Sequence, residues 1–277
     1  MRVHVCGTRG STPAPGGDFL RYGGHTSCIA LGHDDGPPTL FLDAGTGIRE
    51  AGRLMQGRPF NGSILLGHLH WDHVQGLPFF AGSDDPAART DLYMPAQGDA
   101  EKVLERFMSP PFFPITPSQM KGTWRFLSIE EGETEIEGFT VLALDIPHRG
   151  GRTMGYRVTT AGASVCYMSD HCPTDIGGGP GGLGEYHQAA LTLAKDCDVM
   201  FHDSQYTDHE LPERSFYGHS SCGYAVGLAA TAGVKKILMF HHDPSRTDEQ
   251  VDALVKEYQR DGVEVAAAAQ GMVVDIP

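Results

Sequence analysis

The hydrophobic residues of this chain fall mainly into short runs that glycine and proline separate. Short apolar runs bounded by such residues are typical of β-strands. They predict strands at 2–6, 27–31, 39–43, 63–67, 124–127, 139–144, 155–160, 164–168, 199–202 and 236–240. Helical patterns are predicted at 47–55, 99–108, 185–194, 224–232 and 248–259. The proline-rich stretch 109–117 and the glycine-rich stretch 177–184 predict loops.

The order of strands and helices in each half of the chain favours two sheets packed face to face with helices outside. This is an α/β fold of the αββα four-layer sandwich type. Neither an internal repeat nor a linker divides the chain, so we expect a single domain over residues 1–277.

The charge balance of the chain bears on its partners. Thirty-five acidic and 21 basic residues give a net charge of −14. A protein that binds duplex or transfer RNA normally shows a basic face. We therefore expect a small-molecule substrate and no large nucleic acid. The sequence leaves open whether the chain forms a homodimer.

The apolar stretches and the cysteines indicate a compartment. No apolar stretch reaches the ~20 residues of a membrane span, and the N-terminus starts as a strand without a signal sequence, so no membrane partner is expected. The six cysteines include no CxxC pair, and most lie in or beside apolar segments, as buried thiols do in a reducing compartment. We expect a cytoplasmic protein. Cys172 and Cys222, near histidines, remain candidate soft metal ligands.

A histidine cluster, HLHWDH, follows the predicted strand 63–67. Residues i and i+2 of an extended segment point the same way, so His68 and His70 can bind one cation together. Asp72 and His73, in the turn that follows, can face a second cation. Imidazole nitrogen combined with carboxylate oxygen suits zinc and its first-row neighbours.

Three further potential ligands end apolar strands: His148, Asp170 and His241. One such residue alone is more often a satisfied polar group than a ligand. The ends of several strands meet on one rim of a sandwich, however, so that these residues can converge with the first cluster. Two tandem pairs leave alternatives, Asp170 with His171 and His241 with His242. Alternation along a strand lets only one residue of each pair face inward, and we expect it to be the first.

The combined pattern, HxHxDH…H…D…H, resembles that of the metallo-β-lactamase fold superfamily. The resemblance implies one metal bound by His68, His70 and His148, a second bound by Asp72, His73 and His241, and Asp170 bridging both. Two cations about 3.5–4 Å apart lower the pKa of a bridging water to near neutrality, so that a metal-bridging hydroxide is the expected nucleophile of a hydrolase. Zinc is the first expectation for both divalent ions, and manganese is the alternative.

The C-terminal third resembles the branch that contains tRNase Z. In that branch an acidic residue and a histidine, at the places of Asp203 and His219, assist phosphodiester cleavage, and the branch typically has glutamate where this chain has Asp203. The aspartate would orient the imidazole and raise its pKa. Asp72, Asp203 and His219 are therefore the expected catalytic residues. Alternatively, His219 only caps a helix that begins near Ser220.

Bacterial tRNase Z enzymes carry an RNA-binding arm between the third histidine and the bridging aspartate. Here His148 and Asp170 are only 22 positions apart, which favours a small diester such as a cyclic nucleotide or a cyclic sugar phosphate. Arg149, Arg152 and Arg246 are candidates for holding its phosphate.

Two other functions stay open. The apolar loop 109–117, with its two phenylalanines, suits a lactonase or thioesterase, since acyl substrates need an apolar pocket. Whether the surrounding segment 106–122 forms a lid is not decided by the sequence. A non-catalytic metal-dependent sensor is the third alternative, although no ligand position is missing from the pattern.

Overall fold

Within residues 1–33 and 36–277, which the computed structural model describes, the chain forms fourteen strands and seven α-helices. The strands are β1 (Arg2–Gly7), β2 (Cys28–Gly32), β3 (Leu40–Leu42), β4 (Asn61–Leu65), β5 (Arg89–Pro95), β6 (Thr123–Ile129), β7 (Gly132–Ile136), β8 (Phe139–Asp145), β9 (Met154–Thr160), β10 (Ala163–Met168), β11 (Val199–Asp203), β12 (Lys236–Phe240), β13 (Glu264–Ala267) and β14 (Val273–Asp275). The helices are α1 (Ile48–Leu54), α2 (Trp71–Val74), α3 (Ala100–Glu105), α4 (Gln188–Ala194), α5 (Leu211–Arg214), α6 (Cys222–Ala232) and α7 (Asp248–Glu257).

The strands form two seven-stranded sheets. The first has the order β14-β1-β2-β3-β4-β5-β6 and the second the order β13-β12-β11-β10-β9-β8-β7. Alternate residues of a strand point to opposite faces, and β10 shows the result. Val165 and Tyr167 pack in the core between the sheets, whereas Cys166 and Met168 pack under the helices. Both faces of this strand are buried, which explains its nearly continuous apolar sequence.

Helices cover the outer face of each sheet. Residues of α4, α6 and α7 pack on the outside of the second sheet, and residues of α1 and α3 pack on the outside of the first. The predicted αββα sandwich is therefore confirmed. The limits of the domain, residues 1–277, stay a prediction.

Every strand and helix that the sequence predicts has a counterpart within a few residues. Four strands, β5, β7, β13 and β14, and the short helices α2 and α5 were not predicted. Among the described residues, no helix combines the length and the apolar character needed to cross a membrane. All six cysteines are buried and free, as expected. The cytoplasmic location stays a prediction.

The direction of the strands decides where polar side chains gather. In the second sheet β10, β11 and β12 run parallel to one another, and in the first sheet β3, β4 and β5 do. The carboxyl ends of parallel strands meet at one edge of a sheet. Asp170 follows β10, Asp203 ends β11 and His241 follows β12, so that these three side chains lie near one another.

Candidate metal centre

The HLHWDH segment crosses from a strand into a short helix. β4 ends at Leu65, the chain bends at Gly67, and His70 (φ −66°, ψ 155°) is the N-cap of α2. The rings of His68 and His70 meet edge to face with their centroids 4.4 Å apart, so the two side chains lie together as their i, i+2 spacing predicts. Asp72 and His73 lie in the first turn of α2 and are buried.

A first cluster consists of His68, His70 and His148 around one oxygen of Asp170. His148 donates its Nδ1 hydrogen to the carbonyl of Gly218 at 2.7 Å, which leaves the lone pair of its Nε2 inside the cluster. That Nε2 lies 3.2 Å from Nδ1 of His70 and 3.6 Å from Oδ1 of Asp170. Nε2 of His68 lies 3.8 Å from the same oxygen.

A second cluster consists of Asp72, His73 and His241 around the other oxygen of Asp170. Nε2 of His73 lies 3.2 Å from Oδ2 of Asp72 and 3.0 Å from Oδ2 of Asp170. Nε2 of His241 lies 3.1 Å and 3.3 Å from the same two oxygens. Each oxygen of Asp170 therefore faces a different cluster.

The spacing of the second cluster fits a tetrahedral cation. Zinc bonds its nitrogen and oxygen ligands at roughly 2.0–2.2 Å, which places neighbouring ligand atoms about 3.3–3.6 Å apart in a tetrahedron. The four distances given above, 3.0 to 3.3 Å, come close to that value. Buried polar atoms normally have hydrogen-bond partners. Within the described part of the chain Nε2 of His68 has none, and Nε2 of His73 and Oδ2 of Asp170, although 3.0 Å apart, do not meet in hydrogen-bond geometry. The centre therefore fits a divalent metal.

The protonation states of most of the centre suit a metal as well. Burial lowers the pKa of His68, His70 and His148, so these imidazoles are neutral. Burial opposes ionisation of Asp170, yet the imidazoles around it hold its pKa well below the ordinary value. His73 differs: burial opposes its charge, but Asp170, Asp72 and Asp43 hold its pKa well above the ordinary value. Metal binding would have to release that proton.

Asp43, which the sequence analysis missed, orients His73. Its buried carboxylate accepts hydrogen bonds from Gly67 N, His73 Nδ1 and Tyr167 OH, each at 2.7 Å, and from Ser169 Oγ at 3.2 Å. The bond to Nδ1 turns Nε2 of His73 toward the second cluster. A signal was present, because Asp43 ends an apolar strand as the three predicted strand-end ligands do.

Backbone conformation also marks this centre. Asp43 (φ 62°) and His241 (φ 57°) adopt left-handed conformations that non-glycine residues seldom take, and such strain occurs preferentially at functional sites. Gly10 lies directly on the ring of His241, where an added Cβ would come within 2.4 Å of Nδ1. The next residue, Ser11, donates its backbone hydrogen to Oδ2 of Asp72 at 2.7 Å.

His219 and Asp203 form a pair beside the two clusters. Nδ1 of His219 lies 3.0 Å from Oδ2 of Asp203 and 3.6 Å from Oδ1 of Asp170. Burial opposes the charge on His219, but nearby carboxylates raise its pKa to about 9. Asp203 has the largest effect, through its charge and its hydrogen bond, and Asp170 and Asp72 follow. Together with Asp72 and Asp170, His219 lines an open cavity of about 350 Å³.

The structure excludes the helix-cap alternative for His219. Ser221 is the N-cap of α6, and its side chain accepts the backbone hydrogen of Tyr224 at 3.2 Å. The imidazole of His219 points instead to Asp203 and into the cavity.

The second members of the tandem pairs lie outside both clusters. His242 hydrogen-bonds the carbonyl of Ala268 at 3.0 Å, and burial lowers its pKa to about 3. His171 contacts His202 at 3.0 Å and His187 at 2.8 Å. Neither Cys172 nor Cys222 joins a metal-binding group among the described residues, although both are buried.

The three arginines proposed for phosphate binding already have acidic partners. Arg149 pairs with Asp175 at 2.6 Å, Arg152 with Asp145 at 2.8 Å, and Arg246 with Glu210 at 2.6 Å. An arginine engaged in this way is a poor phosphate ligand. The expectation that these arginines hold a phosphate is therefore not supported.

Two facing sheets and a double His/Asp centre on their rim define a metal-dependent hydrolase. Residues 39–242, well over half of the chain, match the family described as the β-lactamase superfamily domain. The chain therefore belongs to the metallo-β-lactamase fold superfamily, as its resemblance predicted.

Similarity to individual proteins extends over the whole chain. Ribonuclease Z of Methanosarcina acetivorans is 25% identical over 322 aligned positions, which cover 100% of this chain and 98% of the relative. Human tRNase Z, short form, superposes with a TM-score of 0.64 at 21% identity and full coverage of both chains. A diphosphatase of the PhnP family superposes with a TM-score of 0.70 at 17% identity, covering 100% of this chain and 98% of the other.

These similarities overturn one prediction. The net charge and the short spacing between His148 and Asp170 led us to exclude large nucleic acid as a partner. A relative named ribonuclease Z nevertheless aligns with this chain from end to end. Net charge describes the whole surface, whereas a substrate meets only the groups around the site. The exclusion was therefore wrong.

Proposed function

We propose that this protein is a phosphodiesterase, acting on phosphodiester bonds in RNA as well as in small diesters such as cyclic nucleotides. The observation that carries this proposal is the pairing of His219 with Asp203 beside the two clusters. A departing alkoxide needs a proton, and a protonated imidazole beside the two clusters is placed to donate one. The names of the relatives support the same class of bond.

The metal ligands follow from the clusters. One cation would be held by His68, His70, His148 and Oδ1 of Asp170, and the other by Asp72, His73, His241 and Oδ2 of Asp170. When bound, two divalent cations supply positive charge for the reacting phosphate and a water nucleophile at neutral pH. The imidazole and carboxylate ligands with near-tetrahedral spacing favour zinc, and manganese is the alternative.

The remaining residues have positioning and proton-transfer roles. Asp203 accepts the Nδ1 hydrogen of His219, which fixes the ring and leaves Nε2 for the substrate. With a pKa of about 9, the imidazole carries a proton at neutral pH and can donate it from Nε2 to the leaving oxygen. Asp203 is itself fixed, because its carboxylate also accepts the backbone hydrogens of His171 and Gln205 at 3.1 Å.

The proposal is tested by metal content and turnover measured on one preparation. Two metals per chain, with hydrolysis of bis-p-nitrophenyl phosphate and of a tRNA precursor, are expected. A preparation with two metals that cleaves a lactone but no phosphodiester would contradict the proposal and identify an acyl hydrolase instead. A preparation that binds no metal, after incubation with zinc or with manganese, would contradict the assignment of the ligands.

A further inference from the structure

A second cavity, of about 590 Å³, opens beside the metal centre and is lined mainly by aromatic rings. We call it the aromatic cavity and define it by Trp71, Phe79, Phe112, Phe113 and Arg106. Trp71 also lines the cavity that contains Asp72, Asp170 and His219. One indole ring therefore belongs to both spaces, and a ligand of the aromatic cavity would adjoin the reacting centre.

The aromatic rings of this cavity are unusually exposed. Trp71 is 74% exposed, Phe112 79% and Phe79 56%. An exposed apolar patch beside an active site marks a ligand surface. Phe79 and Phe113 support each other edge to face, with centroids 6.0 Å apart. Within the described residues Trp71 and Phe112 stack on no other ring.

The loop that carries the two phenylalanines is fixed to the helix before it. The backbone hydrogens of Phe112 and Phe113 both bond to the carbonyl of Ser109 at 2.9 Å. The hydroxyl of Ser109 in turn donates to the carbonyl of Glu105, the last residue of α3, at 2.6 Å. The backbone that carries the two phenylalanine rings is therefore fixed, and the rings form one wall of the aromatic cavity.

Arg106 supplies the charge at this place. Its side chain is exposed and, in the described part of the chain, has no acidic partner, unlike Arg149, Arg152 and Arg246. It lines the aromatic cavity and also an adjoining cavity that contains His68 and His70. A free guanidinium between aromatic rings and a metal centre is placed to bind a phosphate oxygen.

We infer that the aromatic cavity is a subsite for a nucleobase of the substrate, which stacks on Trp71 or Phe112 while Arg106 binds a neighbouring phosphate. The inference rests on the proposed function, in which the reacting bond joins nucleotides. Flat rings with free faces suit a base, because every base has a π-face and stacking needs no sequence-specific contact. An acyl chain would leave the guanidinium without a partner.

The first test measures binding without turnover. The chain has two tryptophans, so Trp124→Phe makes Trp71 the sole indole while keeping a ring at 124. We expect adenosine monophosphate to quench this fluorescence saturably and ribose 5-phosphate, which lacks the base, to leave it unchanged. Equal quenching by the two ligands would overturn the inference.

Two substitutions at one position, in the same background, separate stacking from general apolar contact. Phe112→Leu keeps an apolar side chain but removes the ring. If Phe112 is the stacking ring, this variant should bind adenosine monophosphate with an affinity about 5- to 150-fold lower, the range for one base stacked on one aromatic side chain. Phe112→Tyr keeps the ring and should bind as the parent does. If Phe112→Leu binds adenosine monophosphate normally, Trp71 must be the stacking ring. Trp71→Leu must then abolish the preference for adenosine monophosphate over ribose 5-phosphate, with both affinities measured by calorimetry. Normal binding by both leucine variants would overturn the inference.

The second test uses turnover and separates this inference from the proposed function. Methyl p-nitrophenyl phosphate and the 3′- and 5′-p-nitrophenyl phosphates of thymidine share one leaving group and differ in the presence of a base. At least one thymidine ester should exceed the methyl ester in kcat/KM by about 5- to 150-fold. Turnover with no such preference would overturn the subsite alone. Base binding without turnover of any diester would overturn the proposed function alone.

Discussion

The substitution Asp43→Asn tests how the centre is held in place. Three donors, from His73, Tyr167 and Ser169, point at Oδ2 of Asp43, and one donor, the backbone hydrogen of Gly67, points at Oδ1. The asparagine should place its carbonyl oxygen toward the three donors and its NH2 group toward Gly67. One buried donor then faces another, which costs about 1–3 kcal/mol of stability.

The effect on the metal comes from the lost charge. A hydrogen bond to a carboxylate is roughly twice as strong as one to a neutral acceptor, so the amide makes Nε2 of His73 less basic. Partners of this kind typically contribute 10- to 100-fold to metal affinity. We expect the affinity for one of the two zinc ions to fall by about that factor, as measured by competition with a chromophoric chelator. Urea unfolding of the metal-free protein gives the stability change.

Tyr167→Phe is the matched control. It removes one donor from the same oxygen, with a stability loss of about 1.5–3 kcal/mol, but keeps the charge and the bond to His73. Zinc affinity should therefore stay as in the wild type. If Asp43→Asn bound zinc normally, or if both variants weakened it equally, the orienting role of Asp43 would be refuted.

Three further predictions concern the centre directly. Asp170→Ala removes the carboxylate shared by both clusters and should lower the metal content of both; two retained metals per chain, by plasma emission, would contradict the bridging role. His219→Ala should keep both metals and lose about 10²- to 10⁴-fold in diester turnover, and an unchanged rate would make His219 structural. Asp203 raises the pKa of His219 by its charge and its hydrogen bond, so kcat/KM should fall as the pH rises through the pKa of this imidazole. Asp203→Asn removes the main charge that raises this pKa and should move the fall to lower pH; an unmoved profile would disprove the coupling.

The sequence predicted the architecture where strands are buried on both faces, because such strands are continuous apolar runs. The strands that it missed lack this signal. Four of the five residues of β7 are exposed, with the polar sequence GETEI, while β13 is rich in alanine and β14 has three residues at a sheet edge. Charged residues interrupt β5, where Asp91 is buried but pairs with Arg89 and Arg125.

The metal centre, like the fold, was predicted only in part from the sequence. Spacing and strand ends were enough to select His148, Asp170 and His241, since a ligand type at a strand end is visible in the sequence. The orientation of a ring is not visible there, because it depends on partners such as Asp43 and Gly218 that are distant in the chain. The acidic partners of Arg149, Arg152 and Arg246 were not visible in the sequence for the same reason, since they meet the arginines only after folding.

The two oxygens of Asp170 belong to one side chain of the second sheet, but His68, His70, Asp72 and His73 follow a strand of the first. A cation bound in either cluster therefore ties the two sheets together at their rim. Sliding or separation of the sheets would require its ligands to be released first. The metal-loaded protein should accordingly resist proteolysis longer than protein whose metal has been removed by a chelator. The length of that delay depends on how slowly the metal dissociates.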